Sequence, residues 1–164
     1  MKGKRTAFLG LMLTLAMILS YLESLIIVPV AIPGIKTGLA NLAVVFLIYR
    51  AGWKEALCVN LCRIVLSSLL FGSLPGFVFS VFGAVFSFIC MLAVKRLSFS
   101  SPLLTAMTGG VMHNLGQLVA AMIMFSQNIL GYYLPVLLVT GLAAGALVGS
   151  LSQVLIKKIP ERLL

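Results

Sequence analysis

The sequence predicts an all-α integral membrane protein, one six-helix bundle with both termini in the cytoplasm, and three observations predict it. First, 62% of the 164 residues are hydrophobic and only 9% are charged. A soluble globular chain carries about 25% charged residues. Second, long apolar runs follow one another with short breaks, and at about 20 residues per crossing six of them use about 120 residues and leave no room for a soluble domain. Third, positive charge gathers in alternate breaks: Lys2, Lys4 and Arg5, then Arg50 and Lys54, then Lys95 and Arg96, then Lys157, Lys158 and Arg162, with only Lys36 on the opposite side. Such a bias places the richer side in the cytoplasm, so a multi-pass cell-membrane protein is expected. The net charge of +9 is accounted for by these clusters. They do not form the basic stripe on a polar domain that nucleic-acid binding requires.

The helices are expected at Thr6 to Val28, Thr37 to Tyr49, Lys54 to Phe71, Pro75 to Val94, Leu103 to Phe125 and Gly131 to Ile156, with residues 1–164 forming a single transmembrane domain. The first run follows Lys2, Lys4 and Arg5 as a secretory signal does. It continues to Val28 without a small-x-small cleavage site in a polar setting and is followed by further spans, so it reads as a retained helix.

Helix two is short, about 20 Å at 1.5 Å per residue against a hydrocarbon core of roughly 30 Å. Before it, Pro29, Pro33 and Gly34 break the helix while the composition stays apolar. Irregular backbone at membrane depth is tolerated only when buried in protein or lining a cavity. Residues 29–36 are therefore expected to form a re-entrant external loop. The helix that follows would point its free N–H groups at an anionic group.

The acidic residues are Glu23, Glu55 and Glu161, and there is no Asp, so carboxylate clusters for Mg²⁺ or acid–base work lack their materials. No enzyme activity, metal site or cofactor is expected. Cys58, Cys62 and Cys90 fall inside predicted spans, without His or acidic partners at ligand spacing, and are expected as small packing residues. Trp53, Tyr132 and Tyr133 fall near span ends, where amphipathic rings rest at the headgroups.

Within the spans lie Glu23, Asn41, Asn60, Arg63, His113, Asn114 and Gln117. An ionisable group at depth costs about 2.5–3.5 kcal/mol on insertion scales, so such groups face a cavity or one another. For Arg63 two readings stand level, an ion pair with Glu23 and a grip on an anionic ligand. His113 and Gln117 share a helix face at i, i+4. Lys36, Arg63 and a protonated His113 outnumber Glu23 in the external half, which suits a small anionic or partly anionic guest. The expected ligand-binding set is Glu23, Lys36, Asn41, Arg63, His113, Asn114 and Gln117.

Helix six carries Gly141, Gly145 and Gly149 at i, i+4, i+8, a smooth groove for close packing within the chain. Helix one has a weaker row, Thr6, Gly10 and Thr14, for which docking on another membrane subunit is an even alternative.

The strings Leu19-Ser-Tyr-Leu-Glu23-Ser24, Pro33-Gly-Ile-Lys36-Thr-Gly38-Leu-Ala-Asn41-Leu, Arg63, His113-Asn-Leu-Gly-Gln117 and Tyr133-Leu-Pro135 resemble the small membrane family labelled both "heptaprenyl diphosphate synthase component I" and "Gx transporter". The likeness covers nearly the whole chain. That family looks like the substrate-binding S components of energy-coupling factor (ECF) transporters, which implies six helices, cytoplasmic termini and an external pocket capped by the first loop. It implies uptake of a vitamin-like or cofactor-precursor molecule, energised by a separate coupling subunit and ATPases, since no Gly-x-x-x-x-Gly-Lys-Ser/Thr motif is present. Ala7 is followed at i+4 by Leu11 in place of a clean Ala-x-x-x-Ala docking surface. The alternative that the resemblance implies is a noncatalytic membrane partner of a heptaprenyl diphosphate synthase, or of a flavin- or quinone-linked extracytoplasmic electron-transfer assembly.

Overall fold

Six α-helices, with no strand among the described residues, make up the structure, a computed structural model that describes residues 2–25, 38–126 and 132–159. They are α1 (Lys2–Leu25), α2 (Asn41–Arg50), α3 (Trp53–Phe71), α4 (Leu74–Lys95), α5 (Pro102–Phe125) and α6 (Leu134–Lys158). The expected loop over 29–36, and Lys36 with it, lies outside the described residues.

Local chemistry sets the boundaries. α2 begins four residues later than expected because Gly38 adopts φ +86°, a left-handed conformation that interrupts the helix. A turn from Gly38 to Asn41 (N···O 3.0 Å) then leads into α2. Ser73 caps α4 by accepting from Gly76 N at 3.2 Å, and Ser101 caps α5 by accepting from Leu104 N at 3.1 Å, each with a proline in the first turn. Ser126, at φ 50°, ends α5 in the left-handed region.

Cross-helix contacts fix the relative directions. α1 and α3 run parallel: Arg5 pairs with Glu55, Ser20 meets Arg63, and the Tyr21 and Phe71 rings lie 5.6 Å apart. α5 and α6 run antiparallel and pack most intimately. A Cβ on Gly141 would stand 2.9 Å from the Gly110 carbonyl oxygen, and those on Gly145 and Gly149 would stand 2.6–2.7 Å from backbone atoms of Ala106, Met107 and Leu103. In lipid, where apolar burial alone drives little association, such backbone approach holds helices together through dispersion contacts. By contrast Thr6, Gly10 and Thr14 are all exposed, and nothing lies within 4 Å of a Cβ on Gly10.

α2 is the centre. Every residue from Asn41 to Ile48 is buried, and the helix touches α1, α3, α5 and α6. A helix apolar all round is stable only when enclosed. Here Met12, Val59, Phe88, Met91, Ala106 and Val148 enclose it. Its C-terminal carbonyls receive Lys95, which donates to Ile48 O, while Arg50 donates to Ile156 O in the last turn of α6. Cations at helix C-termini satisfy orphan carbonyls and oppose the helix dipole. Arg5, Arg50, Lys95 and the last turn of α6 therefore meet at one end of the bundle.

α1 from Gly3, α4 and α6 are each long and apolar enough to cross a membrane, which marks the chain as a membrane protein. α2, at about 15 Å, is too short to cross alone. α3 contains Lys54, Glu55 and Arg63, and α5 contains His113, Asn114 and Gln117. Arg63, His113, Asn114 and Gln117 depart from a plain span because they build the interior, while Lys54 and Glu55 lie at the basic end, where Glu55 pairs with Arg5. Cys58 and Cys62 are a correction to the sequence reading: both are exposed free thiols on the outer surface of α3, not packing residues, and Cys90 is half-buried. Their helix face is turned outward because Asn60 and Arg63, between and beside them, take the inward one.

Candidate functional site

Polar side chains from four helices collect around one glycine turn. Glu23, 5% exposed near the C-terminus of α1, accepts the backbone N–H of Gly38, and that of Leu39 at 2.8 Å, through a single oxygen. The anion that sequence reasoning placed at the start of helix two is thus, within the described residues, this side chain. Charge-assisted bonds to orphan amides are among the stronger ones.

On the other side of the turn stands His113 of α5. A Cβ on Gly38 would lie 3.2 Å from Asn41 Nδ2 and 3.5 Å from His113 Cδ2. A Cβ on Gly83 of α4 would lie 2.8 Å from both Cε1 and Nδ1 of the same ring. Two glycines on different elements therefore make the slot that the imidazole fills. The Gln117 amide nitrogen lies 2.7 Å from His113 Nε2. The pair ties two side chains one helical turn apart, with the donor set by the imidazole tautomer. Asn41 Nδ2 is buried with no hydrogen-bond partner among the described residues. An orphan donor of this kind costs about 1–3 kcal/mol.

Arg63, 2% exposed in mid-α3, joins the group through α1. Its Nε and Nη2 donate to Asn60 Oδ1 at 3.2 and 2.8 Å, and Nη1 donates to Ser20 Oγ at 3.3 Å. Ser20 sits one turn before Glu23, so α1 carries one contact to Arg63 and another to the Gly38 turn. The Arg63 hydrogen bonds end on neutral oxygens, and Glu23 acts on the guanidinium as a nearby negative charge.

Asn114 is placed apart from this cluster. It points toward α6, donating to Leu137 O at 2.8 Å and to Thr140 Oγ1 at 3.2 Å. Glu23, Asn41, Arg63, His113 and Gln117 are brought together; Lys36 lies outside the described residues. Sequence reasoning missed Ser20, Gly38 and Gly83 as parts of the arrangement. The Ser20 to Glu23 spacing on one helix face was a usable signal. Gly83 gave none, being one glycine in an apolar run.

The family model for heptaprenyl diphosphate synthase component I matches residues 12–155, from α1 through α6. The chain belongs to that family. The matched stretch includes every residue of the cluster. No curated protein and no solved structure matches it.

Proposed function

We propose that the chain crosses the membrane six times with both termini in the cytoplasm, and that its interior cluster binds a small anionic, vitamin-like or cofactor-precursor molecule. In this reading it is a noncatalytic S-component-like subunit for uptake, energised by separate coupling and ATPase subunits. The basic end supports the orientation, since Arg5, Arg50, Lys95, Lys157 and Lys158 all belong to it and positive charge is retained in the cytoplasm. The observation that carries the ligand reading is Arg63, a fully enclosed guanidinium whose direct partners are neutral. A buried cation is costly unless an anion accompanies it, and Glu23, the carboxylate that acts on Arg63 from nearby, directs its bonded oxygen to the Gly38 and Leu39 amides. The Asn41 amide nitrogen, without a hydrogen-bond partner among the described residues, adds a donor nearby. Glu23, Asn41, Arg63, His113 and Gln117, with Lys36, form the proposed site. Arg63→Ala abolishes binding of the retained small molecule while the protein stays folded in detergent; unchanged retention refutes the assignment.

The family description favours a second reading, a noncatalytic membrane partner of a prenyl diphosphate synthase, because a "component I" implies another component. The chain has no Asp with which to hold Mg²⁺ against a diphosphate, so catalysis falls to that partner. A flavin- or quinone-linked electron-transfer assembly is the other partner of this class. Affinity purification of the full chain separates the readings: ATPases with a coupling subunit support transport, and a soluble synthase or redox protein supports the partner role.

A further inference from the structure

Two helix ends meet beside a tight turn at the basic end of the bundle. Arg50 ends α2, the chain turns through Ala51 and Gly52, and α3 starts at Trp53. Gly52 takes φ +118°, a conformation open to glycine and strained for other residues, so the turn needs only two positions. α4 arrives there with Lys95 in its last turn and Arg96 directly after it. It packs far less against α3 than against α5. The loose side leaves a hollow of about 470 Å³ lined by Gly52, Trp53, Leu92, Lys95 and Arg96.

We propose that this hollow seats the headgroup of an anionic bilayer phospholipid, its phosphate between Lys95 and Arg96. Charge decides for an anion. The Arg96 guanidinium is exposed and makes no hydrogen bond or ion pair among the described residues. Lys95 is held by Ile48 O and lies 5.2 Å from the centre of the Tyr49 ring, with no carboxylate partner among the described residues. Lys54, 5.6 Å from the centre of the Trp53 ring, adds a third positive charge at the rim. No acidic residue lines the hollow, and Glu55 is bonded to Arg5. Guanidinium and ammonium groups donate charge-assisted hydrogen bonds to phosphate oxygens. A choline or ethanolamine headgroup would add its own cation to these, with no carboxylate to receive it. A headgroup whose only charge is the phosphate adds none.

Position decides for a lipid over a soluble phosphate. Trp53 is exposed, and its ring is of the amphipathic kind that rests at the headgroups. Basic pockets between helices at the membrane surface suit phosphate headgroups. Farther along the same two helices, Leu61, Val85 and Ile89 face outward around an apolar hollow, a surface on which acyl chains can lie. A lipid is already confined at this level, so the hollow meets it at a local concentration that a soluble ion does not reach. Its phosphate would join the start of α3 to the end of α4 and, through Lys95, to the C-terminus of α2. The proposal needs this end of the bundle to lie at a bilayer surface and does not rest on the interior cluster or its ligand.

The chain has a single tryptophan, Trp53, so its emission reports on this hollow. The full chain is placed in phosphatidylcholine nanodiscs with a minor fraction of lipid brominated near the glycerol end of its chains, either phosphatidylglycerol or phosphatidylcholine. Brominated phosphatidylglycerol should quench Trp53 at mole fractions about tenfold below those that brominated phosphatidylcholine needs, as two cations beside one phosphate imply. Arg96→Gln should reduce that preference about fivefold, and Arg96→Lys should keep most of it. Replacing Lys157 and Lys158 together by glutamine removes charge from the end of α6 without touching the hollow, and should leave the preference unchanged. Equal quenching by the two lipids overturns the proposal, as does an Arg96→Gln protein that keeps the wild-type preference. So does a loss in the α6 variant as large as that in Arg96→Gln, which reduces the effect to the net charge of the chain. Relief of quenching by millimolar glycerol phosphate also overturns it, since the hollow is then a site for soluble phosphates.

Discussion

Glu23 Oε1 accepts the backbone N–H of Leu39 at 2.8 Å and also that of Gly38, so a carboxylate near the end of one helix organises the turn that starts another. The carboxylate is 5% exposed, and both donors lie at the N-terminal approach to α2, where negative charge is favoured. Hydrogen bonds to a charged group are worth about 1.5–3 kcal/mol. Glu23→Ala should therefore destabilise the protein by about 2 kcal/mol or more, and Glu23→Gln by less, since the amide oxygen still accepts. Thermal unfolding of both variants in detergent checks the order; equal melting temperatures for all three proteins contradict it.

Glycine substitutions should sort by what stands behind them. Gly110→Ala sets a Cβ 2.3 Å from the Gly141 carbonyl oxygen, where backbone meets backbone and neither yields easily. A cost of about 1–3 kcal/mol or more is expected for such overpacking. Gly10→Ala meets nothing within 4 Å on an exposed face of α1, so helix propensity makes it neutral or stabilising by up to about 1 kcal/mol. Melting temperatures of the two variants should move in opposite directions or differ by the full cost of the clash.

Gly83→Ala is a subtler case, because its Cβ would stand 2.8 Å from the His113 ring and 3.0 Å from the His113 carbonyl oxygen, so the ring has to shift within its slot. The variant should fold with a modest loss of stability and shift the His113 imidazole resonances. Gly116→Ala, which meets the Phe82 carbonyl oxygen at 2.6 Å, should lose more stability. Proton–nitrogen spectra of the single histidine in detergent, read with the melting temperatures, check both.

Asn114 should behave as a structural tie and not as a ligand contact. Its amide holds α5 to the Leu137 carbonyl and the Thr140 hydroxyl of α6. Asn114→Ala leaves the Leu137 oxygen without that donor and should cost about 1–2 kcal/mol. Retention of small molecules by the purified variant should match that of the wild type. A loss of retention at unchanged stability would return Asn114 to the binding site.

Orientation is checked by thiol labelling. With Cys58, Cys62 and Cys90 replaced by serine, a cysteine at Lys157 should react with an impermeant reagent only from the cytoplasmic side. A cysteine at Ser126, which follows α5 at the opposite end, should react only from outside. The reverse pattern removes the topology.

What could be read in advance follows from the kind of signal each feature leaves. Apolar runs separated by charge clusters identify α3, α4, α5 and α6 to within a few residues, because span length and helix breakers are local properties. The Gly141, Gly145 and Gly149 row lies against α5, a contact that a four-residue spacing makes visible. The start of α2 was not legible, since it depends on Gly38 taking a left-handed φ with its amide held by Glu23 from a distant helix. Nor was the burial of α2 on every side, because apolar composition does not distinguish lipid from protein as the surrounding medium. The polar side chains could be found as a set, being costly at depth. Their grouping could not, because the contacts of Arg63 with Ser20 and of Asn114 with Leu137 join residues far apart in sequence.

Native mass spectrometry of the wild-type and Arg63→Ala proteins, purified side by side from membranes, bears most directly on the interior cluster as a ligand site. A small anionic species carried by the wild type and missing from Arg63→Ala, at comparable melting temperatures, is the predicted result. Equal retention in both proteins, or a variant that unfolds while the wild type carries nothing, would mean that the guanidinium only ties α3 to α1.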